Sequence, residues 1–280
     1  SLTNINKPEI PILHVGGYYD PEDLMGPQAM YEHLEKNDNF NNNYLVLGPW
    51  NHGQWRVDKG NSLGKIKFGS DTSDWFLDYE KKWFDYWLKD IGDGNFNEVN
   101  TFQTGSNEWK SYEIWPPENT INQRLYLHSN NTVSFNKPTQ NKGSLSYISD
   151  PLNPIPYRKR PIESTFTTES NWPSWLVEDQ RFVSSRNDVL SFSSEIFENN
   201  MTVTGKIKAY INTSTTETDA DFVVKVIDVY PDFNELDSDL NGYQFPVTME
   251  VFRGRFRSSF EKPKPFTPNK IEQIIIDLHQ

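Results

Sequence analysis

Two polar residues stand where a chain can put them to chemical use. Asp20 follows Gly16-Gly17-Tyr18-Tyr19, and His52 follows Gly48-Pro49-Trp50-Asn51. Each comes after a short aliphatic run, Ile10 to Val15 before the first and Tyr44 to Leu47 before the second, and each run ends in a glycine-bearing turn. An open sheet covered by helices presents its functional groups in this way, at the carboxyl ends of strands. An imidazole takes up and returns protons near neutral pH. A carboxylate beside it fixes one tautomer and offsets the charge that forms on the protonated ring. Asp20 and His52 are therefore the candidate acid and base of a proton shuttle. Taken singly, each has a plainer reading: the aspartate opens a turn or caps a helix, and the histidine sits in a loop among backbone carbonyls.

The intervening segment favours the pair. Met25 to Leu34 carries Met30, Tyr31 and Leu34 at helical spacing, so the order reads strand, Asp, helix, strand, His. That is the closing part of an α/β-hydrolase sheet, in which a catalytic triad runs Ser, then Asp or Glu, then His. No Gly-x-Ser-x-Gly nucleophile motif is read anywhere in the chain. The serine is expected upstream of residue 1, and residues 1–280 alone are expected not to hydrolyse.

Farther along, Asp74 to Leu88 places Trp75, Phe76, Tyr79, Trp83, Phe84, Trp87 and Leu88 on a wide apolar helical face. Asp71 to Asp74 supplies capping residues, and Gly92 is expected to close the helix. The chain divides near Gly92-Asp93-Gly94-Asn95, giving an α/β segment over 1–95 and an all-β region over 96–280. In the second, Leu125 to Leu127, Val203 to Ile211, Phe222 to Val229 and Val247 to Phe252 are β-rich, with Pro, Asn, Gly and Ser between them. Ile207, Ala209 and Ile211 alternate onto one face. The expected fold class is α/β plus all-β.

Composition narrows the functions. The net charge of −12 and the absence of a basic stripe argue against nucleic acid as a partner. No apolar run is long enough for a membrane span. Mean hydropathy is low at −0.74, but nine Trp and eighteen Phe supply the burial that aliphatics do not. Zero cysteines leaves the redox compartment open. Asp237-Ser238-Asp239-Leu240-Asn241-Gly242 begins like a calcium loop, but its twelfth position is Thr248 rather than Glu, so it reads as a turn. No metal or other cofactor is assigned.

Many co-linear stretches resemble the α-amino acid ester hydrolases and, more broadly, the cocaine esterase-like and X-prolyl dipeptidyl peptidase superfamily. They include Gly17 to Asp23, Gly48 to His52, Trp83-Phe84-Asp85-Tyr86-Trp87-Leu88-Lys89, Gly105 to Trp109, Trp115-Pro116-Pro117, Ser149 to Pro154, Arg186 to Leu190 and Asp221 to Asp232. The resemblance implies a serine hydrolase acting through an acyl-enzyme, with Asp20 orienting His52. It implies a C-terminal jelly roll that continues past residue 280. It also implies that Glu22 and Asp23 belong to a carboxylate cluster that grips a substrate's α-ammonium group, a third member lying upstream. The plainer reading of these two acids is helix-terminus electrostatics. Trp175, with Trp172 second, is the implied tryptophan wall of the acyl pocket, and Tyr19 is a further wall candidate. A tryptophan that merely plugs the interdomain seam remains the alternative. The implied substrate is a small α-amino ester or amide, including β-lactam side chains, or a peptide. X-prolyl dipeptidyl peptidase and glutaryl-type acylase activities are the alternatives, and a non-catalytic β-sandwich binding module is a further one. The resemblance suggests a homo-oligomer in the periplasm or outside the cell.

Overall fold

The computed structural model describes residues 7–139, 143–235 and 237–278. A four-stranded sheet carries the N-terminal half. β1 (Ile12–Gly17) and β2 (Asn43–Gly48) are parallel, β5 (Val99–Gln103) is parallel to β2, and β6 (Glu108–Tyr112) returns antiparallel to β5. The spatial order is β1-β2-β5-β6. All six residues of β2 are buried, as expected for a parallel strand covered on both faces. Helix α1 (Gly26–Glu35) connects β1 to β2, with Pro27 in its first turn, where a missing amide proton costs nothing. It buries Tyr31 and Leu34 of the three residues that the sequence pattern singled out.

A 3₁₀ turn (Gln54–Arg56) and a small hairpin of β3 (Ser62–Leu63) and β4 (Ile66–Lys67) lead to α2 (Thr72–Lys89). This helix sets Phe76 against Trp50 in a core shared with Val46. Asp71 stands at its N-cap position without a capping bond, because its carboxylate is taken by Lys59 (2.7 Å) and Asn61 (3.2 Å). The helix does not run to Gly92. Asp90 adopts the left-handed conformation (φ 56°) and ends it, a geometry short polar side chains tolerate. The sheet then continues on both sides of residue 95 as far as Tyr112.

The rest of the chain is mostly β. Minor strands β7 (Tyr126–Leu127) and β8 (Val133–Ser134) pair with each other. A 3₁₀ segment (Trp172–Val177) and α3 (Arg181–Ser184) precede β9 (Lys208–Thr213), β10 (Asp221–Val229), β11 (Gln244–Arg253) and β12 (Glu272–Asp277). β10 pairs with β11 and β9 with β12, both antiparallel. β9 starts five residues later than its pattern suggests, because Gly205 at φ 76° interrupts the extended chain. Ala209 and Ile211 do face inward, onto a core with Ile274, Ile276 and Phe266. Among the described residues these strands form two-stranded ladders, not the pair of full sheets that makes a jelly roll.

The two halves share a core. Tyr19, Phe68 and Phe102 pack with Val177, Tyr243 and Phe245. At its edge Lys67 pairs with Asp237 (2.8 Å) and Lys65 with Asp239 (3.3 Å), so the calcium-like segment serves as a docking loop for the β3–β4 hairpin.

One part-buried contact makes stability depend on pH. The Tyr31 hydroxyl donates to Glu98, tying α1 to the entry of β5. Partial burial, with Glu35, Asp38 and Glu113 nearby, pushes the Glu98 carboxyl up to about 7; the Tyr31 bond works in the opposite direction. Between the ordinary glutamate value of 4.5 and about 7, the folded protein holds a proton that the unfolded chain has released. Stability therefore declines as pH rises through that window. Urea melts from pH 4.5 to 7.5 will show this slope, and Glu98→Gln will flatten it. An unchanged slope in the variant would assign the effect to other groups.

Candidate active site

β1 and β2 pair from Ile12–Asn43 to Gly17–Gly48, so both chains leave the sheet at the same end. Their loops are tied together immediately. The Tyr18 amide donates to the Gly48 carbonyl and the Tyr19 amide to the Trp50 carbonyl, each at 3.0 Å. This brings His52 Nδ1 to 2.9 Å from Asp20 Oδ2 and 3.2 Å from Oδ1. A neutral imidazole facing a carboxylate carries its proton on Nδ1, which leaves Nε2 as the acceptor. Asp20 is buried, and its Oδ1 also accepts the amides of Glu22 (2.8 Å) and Asp23 (2.9 Å). The ring nitrogen and the two amides fix the carboxylate's orientation.

The histidine loop has its own brace. Gly53 turns the chain in the left-handed region (φ 69°) directly after His52. The Asn51 amide donates to Gln54 Oε1 (3.2 Å), and Gln54 Nε2 donates to the Ser62 carbonyl (3.0 Å) and Asp58 (3.1 Å). Beneath the loop, Trp50 is fully buried and its indole N–H donates to Thr72 (2.8 Å).

His52 itself is half-exposed, with Nε2 3.8 Å from Glu22 Oε2. Its pKa lies above the ordinary value of 6.5, chiefly through the Asp20 hydrogen bond, with the Asp20, Glu22 and Asp23 charges adding to the shift against partial desolvation. The N-cap residue of α1, Met25, makes no side-chain capping bond, and the first turn of the helix holds no acidic residue. Gly26 leaves room for the Asp23 carboxylate, where a Cβ would overlap Oδ1.

Of the aromatic wall candidates, the structure sets Trp172 against His52, ring centroids 6.3 Å apart and edge-on. Trp175 is held instead by the Arg158 guanidinium, 4.4 Å over its ring, and by Tyr157 at 6.5 Å. Arg158 is itself buried and paired with Glu178. Tyr19 is buried in the shared core, 5.8 Å from Phe245, and burial drives its hydroxyl pKa upward. The tryptophan order follows from the 3₁₀ turn, which no periodicity announces.

A motif that the sequence reading passed over is Gly60-Asn61-Ser62-Leu63-Gly64, which does fit Gly-x-Ser-x-Gly. It is no nucleophile elbow. Ser62 opens the β3–β4 hairpin rather than a strand-to-helix turn, its hydroxyl donates to Asn61 (3.3 Å), and it follows His52 in the chain.

The profile of the X-Pro dipeptidyl-peptidase C-terminal non-catalytic domain matches residues 85–280, and that of X-Pro dipeptidyl-peptidase (S15 family) matches residues 1–54. The chain belongs to the family of the X-Pro dipeptidyl-peptidase C-terminal non-catalytic domain, with an S15-family segment at residues 1–54. Cocaine esterase from Rhodococcus sp. (strain MB1 Bresler) is 26% identical to this S15 chain over 281 residues, covering 96% of it and 45% of the esterase. The crystal structure of an aminopeptidase from a marine sediment archaeon, Thaumarchaeota archaeon, superposes with a TM-score of 0.93 at 39% identity, covering 96% of the S15 chain and 44% of the aminopeptidase. An α-amino acid ester hydrolase structure gives 0.91 at 35% identity, covering 98% and 45%. The S15 chain thus spans less than half the length of these relatives and is homologous to serine esterases and hydrolases. Its fold is a short hydrolase segment with a parallel sheet, followed by a mostly β C-terminal region. Among the described residues, no helix is long and apolar enough to cross a membrane.

Proposed function

We propose that Asp20 and His52 are the acid and base of a Ser-His-Asp triad whose serine lies outside these residues, in an enzyme that hydrolyses or transfers the acyl groups of α-amino esters and amides. The 2.9 Å Asp20–His52 contact at the ends of adjacent parallel strands carries this reading. His52 takes the serine proton on Nε2 and later returns it to the leaving group, while Asp20 holds the tautomer. Glu22 and Asp23 bind the substrate ammonium, since paired carboxylates attract a cation and repel an anionic acyl group. Trp172, from the mostly β C-terminal region, packs edge-on against the base. The proposed division at residue 95 falls within the sheet that bears the pair, since β5 and β6 extend it beyond that point.

Turnover of phenylglycine methyl ester against a Gly-Pro anilide by the full-length protein tests the choice. Cleavage of the anilide alone would select the second reading, an X-prolyl dipeptidyl peptidase, which the S15 profile and the same amine-binding carboxylates support.

His52 must be neutral to act, and the three carboxylates favour its charged form. The acid limb of kcat/KM will therefore lie above pH 6.5 and move down in Glu22→Gln. That variant will also lose about 10-fold to 100-fold in kcat/KM for amino esters while keeping its rate on the desamino ester, because a charge-assisted bond is worth about 1.5–3 kcal/mol. Equal losses on both esters would remove Glu22 from ammonium binding.

A further inference from the structure

A cleft of about 260 Å³ opens beside the Asp20 turn. One wall is the loop from Asp20 to Met25, and the other is the β10–β11 ladder, through Val223, Met249 and Val251, with Leu176 and Tyr157 completing the lining. Val223 and Val251 are register partners, yet each keeps about half its surface exposed (54% and 51%). The opposite face of the ladder is already spent, with Phe222, Val224 and Phe252 packed into the C-terminal core. A ladder with one solvated face ordinarily sets polar residues outward. On this face Asp221, Arg253 and Lys225 flank an aliphatic and thioether patch of Val223, Val251 and Met249, turned toward the loop that carries Glu22 and Asp23.

We propose that this cleft receives the side chain of the substrate whose ammonium group Glu22 and Asp23 hold, so that Val223, Met249 and Val251 of β10–β11 select a bulky aliphatic side chain. The inference rests on the ammonium reading given above. The volume far exceeds what a glycine or alanine side chain fills. The carboxylates lie on the Asp20 loop and at Glu250, while Val223, Met249 and Val251 present apolar atoms to the cleft. Glu250, whose carboxylate accepts the Val251 amide (2.8 Å), also lines the cleft and opposes an anionic acyl group. The C-terminal region thereby becomes a specificity element.

The chain has four methionines, and Met25 and Met249 line opposite walls of the cleft, so ¹³C-methyl methionine spectra report on it directly. Three probes are titrated: leucinamide, glycinamide, and 4-methylpentanamide, which is leucinamide without its ammonium group. Leucinamide will shift both Met25 and Met249, leave Met30 and Met201 in place, and bind at least about tenfold more tightly than glycinamide. Val251→Ala, which adds no charge beside Glu22 and Asp23, will shrink that advantage by lowering leucinamide affinity more than glycinamide affinity. Equal affinity for leucinamide and glycinamide, or a leucinamide shift at Met25 without one at Met249, overturns the proposal and leaves the ammonium reading standing. Equal affinity for leucinamide and 4-methylpentanamide, with Met249 shifted, sinks the ammonium reading and keeps the aliphatic cleft. No shift with any probe removes both.

Discussion

On the proposed triad, Asp20→Asn in the full-length protein will lower kcat for ester hydrolysis by about 10⁴-fold, or about 5.5 kcal/mol of transition-state stabilisation, and leave the fold intact. The asparagine keeps an oxygen at the position that accepts the Glu22 and Asp23 amides, so the turn after β1 survives. What changes is the atom facing His52 Nδ1 at 2.9 Å. An NH₂ group there meets an N–H, and the ring answers by moving its proton to Nε2, the atom that must accept from the nucleophile. The negative charge that offsets the imidazolium goes as well. Paired measurements separate this from damage: kcat should collapse while the thermal midpoint shifts by a few degrees at most. A loss under tenfold would mean that Asp20 does not orient the base, and the proton shuttle would have to be abandoned.

The Asp20–His52 pair was legible in the sequence because its cues are local. Each residue follows an aliphatic run and a glycine turn, and the helix between has its own period. The run Tyr44 to Leu47 could be recognised as the strand that leads to His52, and the structure buries it throughout. What escaped depends on tertiary placement. Trp172 and Trp175 lie three residues apart on one 3₁₀ turn, and only the packed structure shows that Arg158 claims the second while the first meets His52. Gln54 looks like an ordinary loop residue until its amide is seen bridging Asn51 to Ser62. Ser62 shows the converse: the motif is present in the letters, but the hairpin built on it has no helix to make an elbow. Tyr19, adjacent to the acid, turns into the core because β11 offers it Phe245.

Gly17→Ala should damage both the fold and the chemistry, because one close approach serves both. Gly17 ends β1 opposite Gly48, and a Cβ built on it would overlap the carbonyl of Trp50. That carbonyl accepts the Tyr19 amide at 3.0 Å and belongs to the loop that presents His52. The obstacle is backbone, so no rotamer change relieves it. The two loops must part, and the methyl group sits between the segments that hold Asp20 and His52 in register. Overpacking of this kind costs about 1–3 kcal/mol. Displacing the base by about 1 Å costs about 100-fold in kcat. A spectroscopic reading ties the two effects together: as the Asp20 bond lengthens, the His52 titration midpoint should fall back toward an ordinary imidazole. Gly92→Ala supplies the comparison. Its φ of 112° strains any side chain, but nothing lies within 4 Å of the new Cβ, and the position is past the end of α2. It should lose stability and keep its kcat. If Gly17→Ala likewise kept full activity with an unmoved His52 midpoint, the two strand ends would not be what sets the acid–base distance.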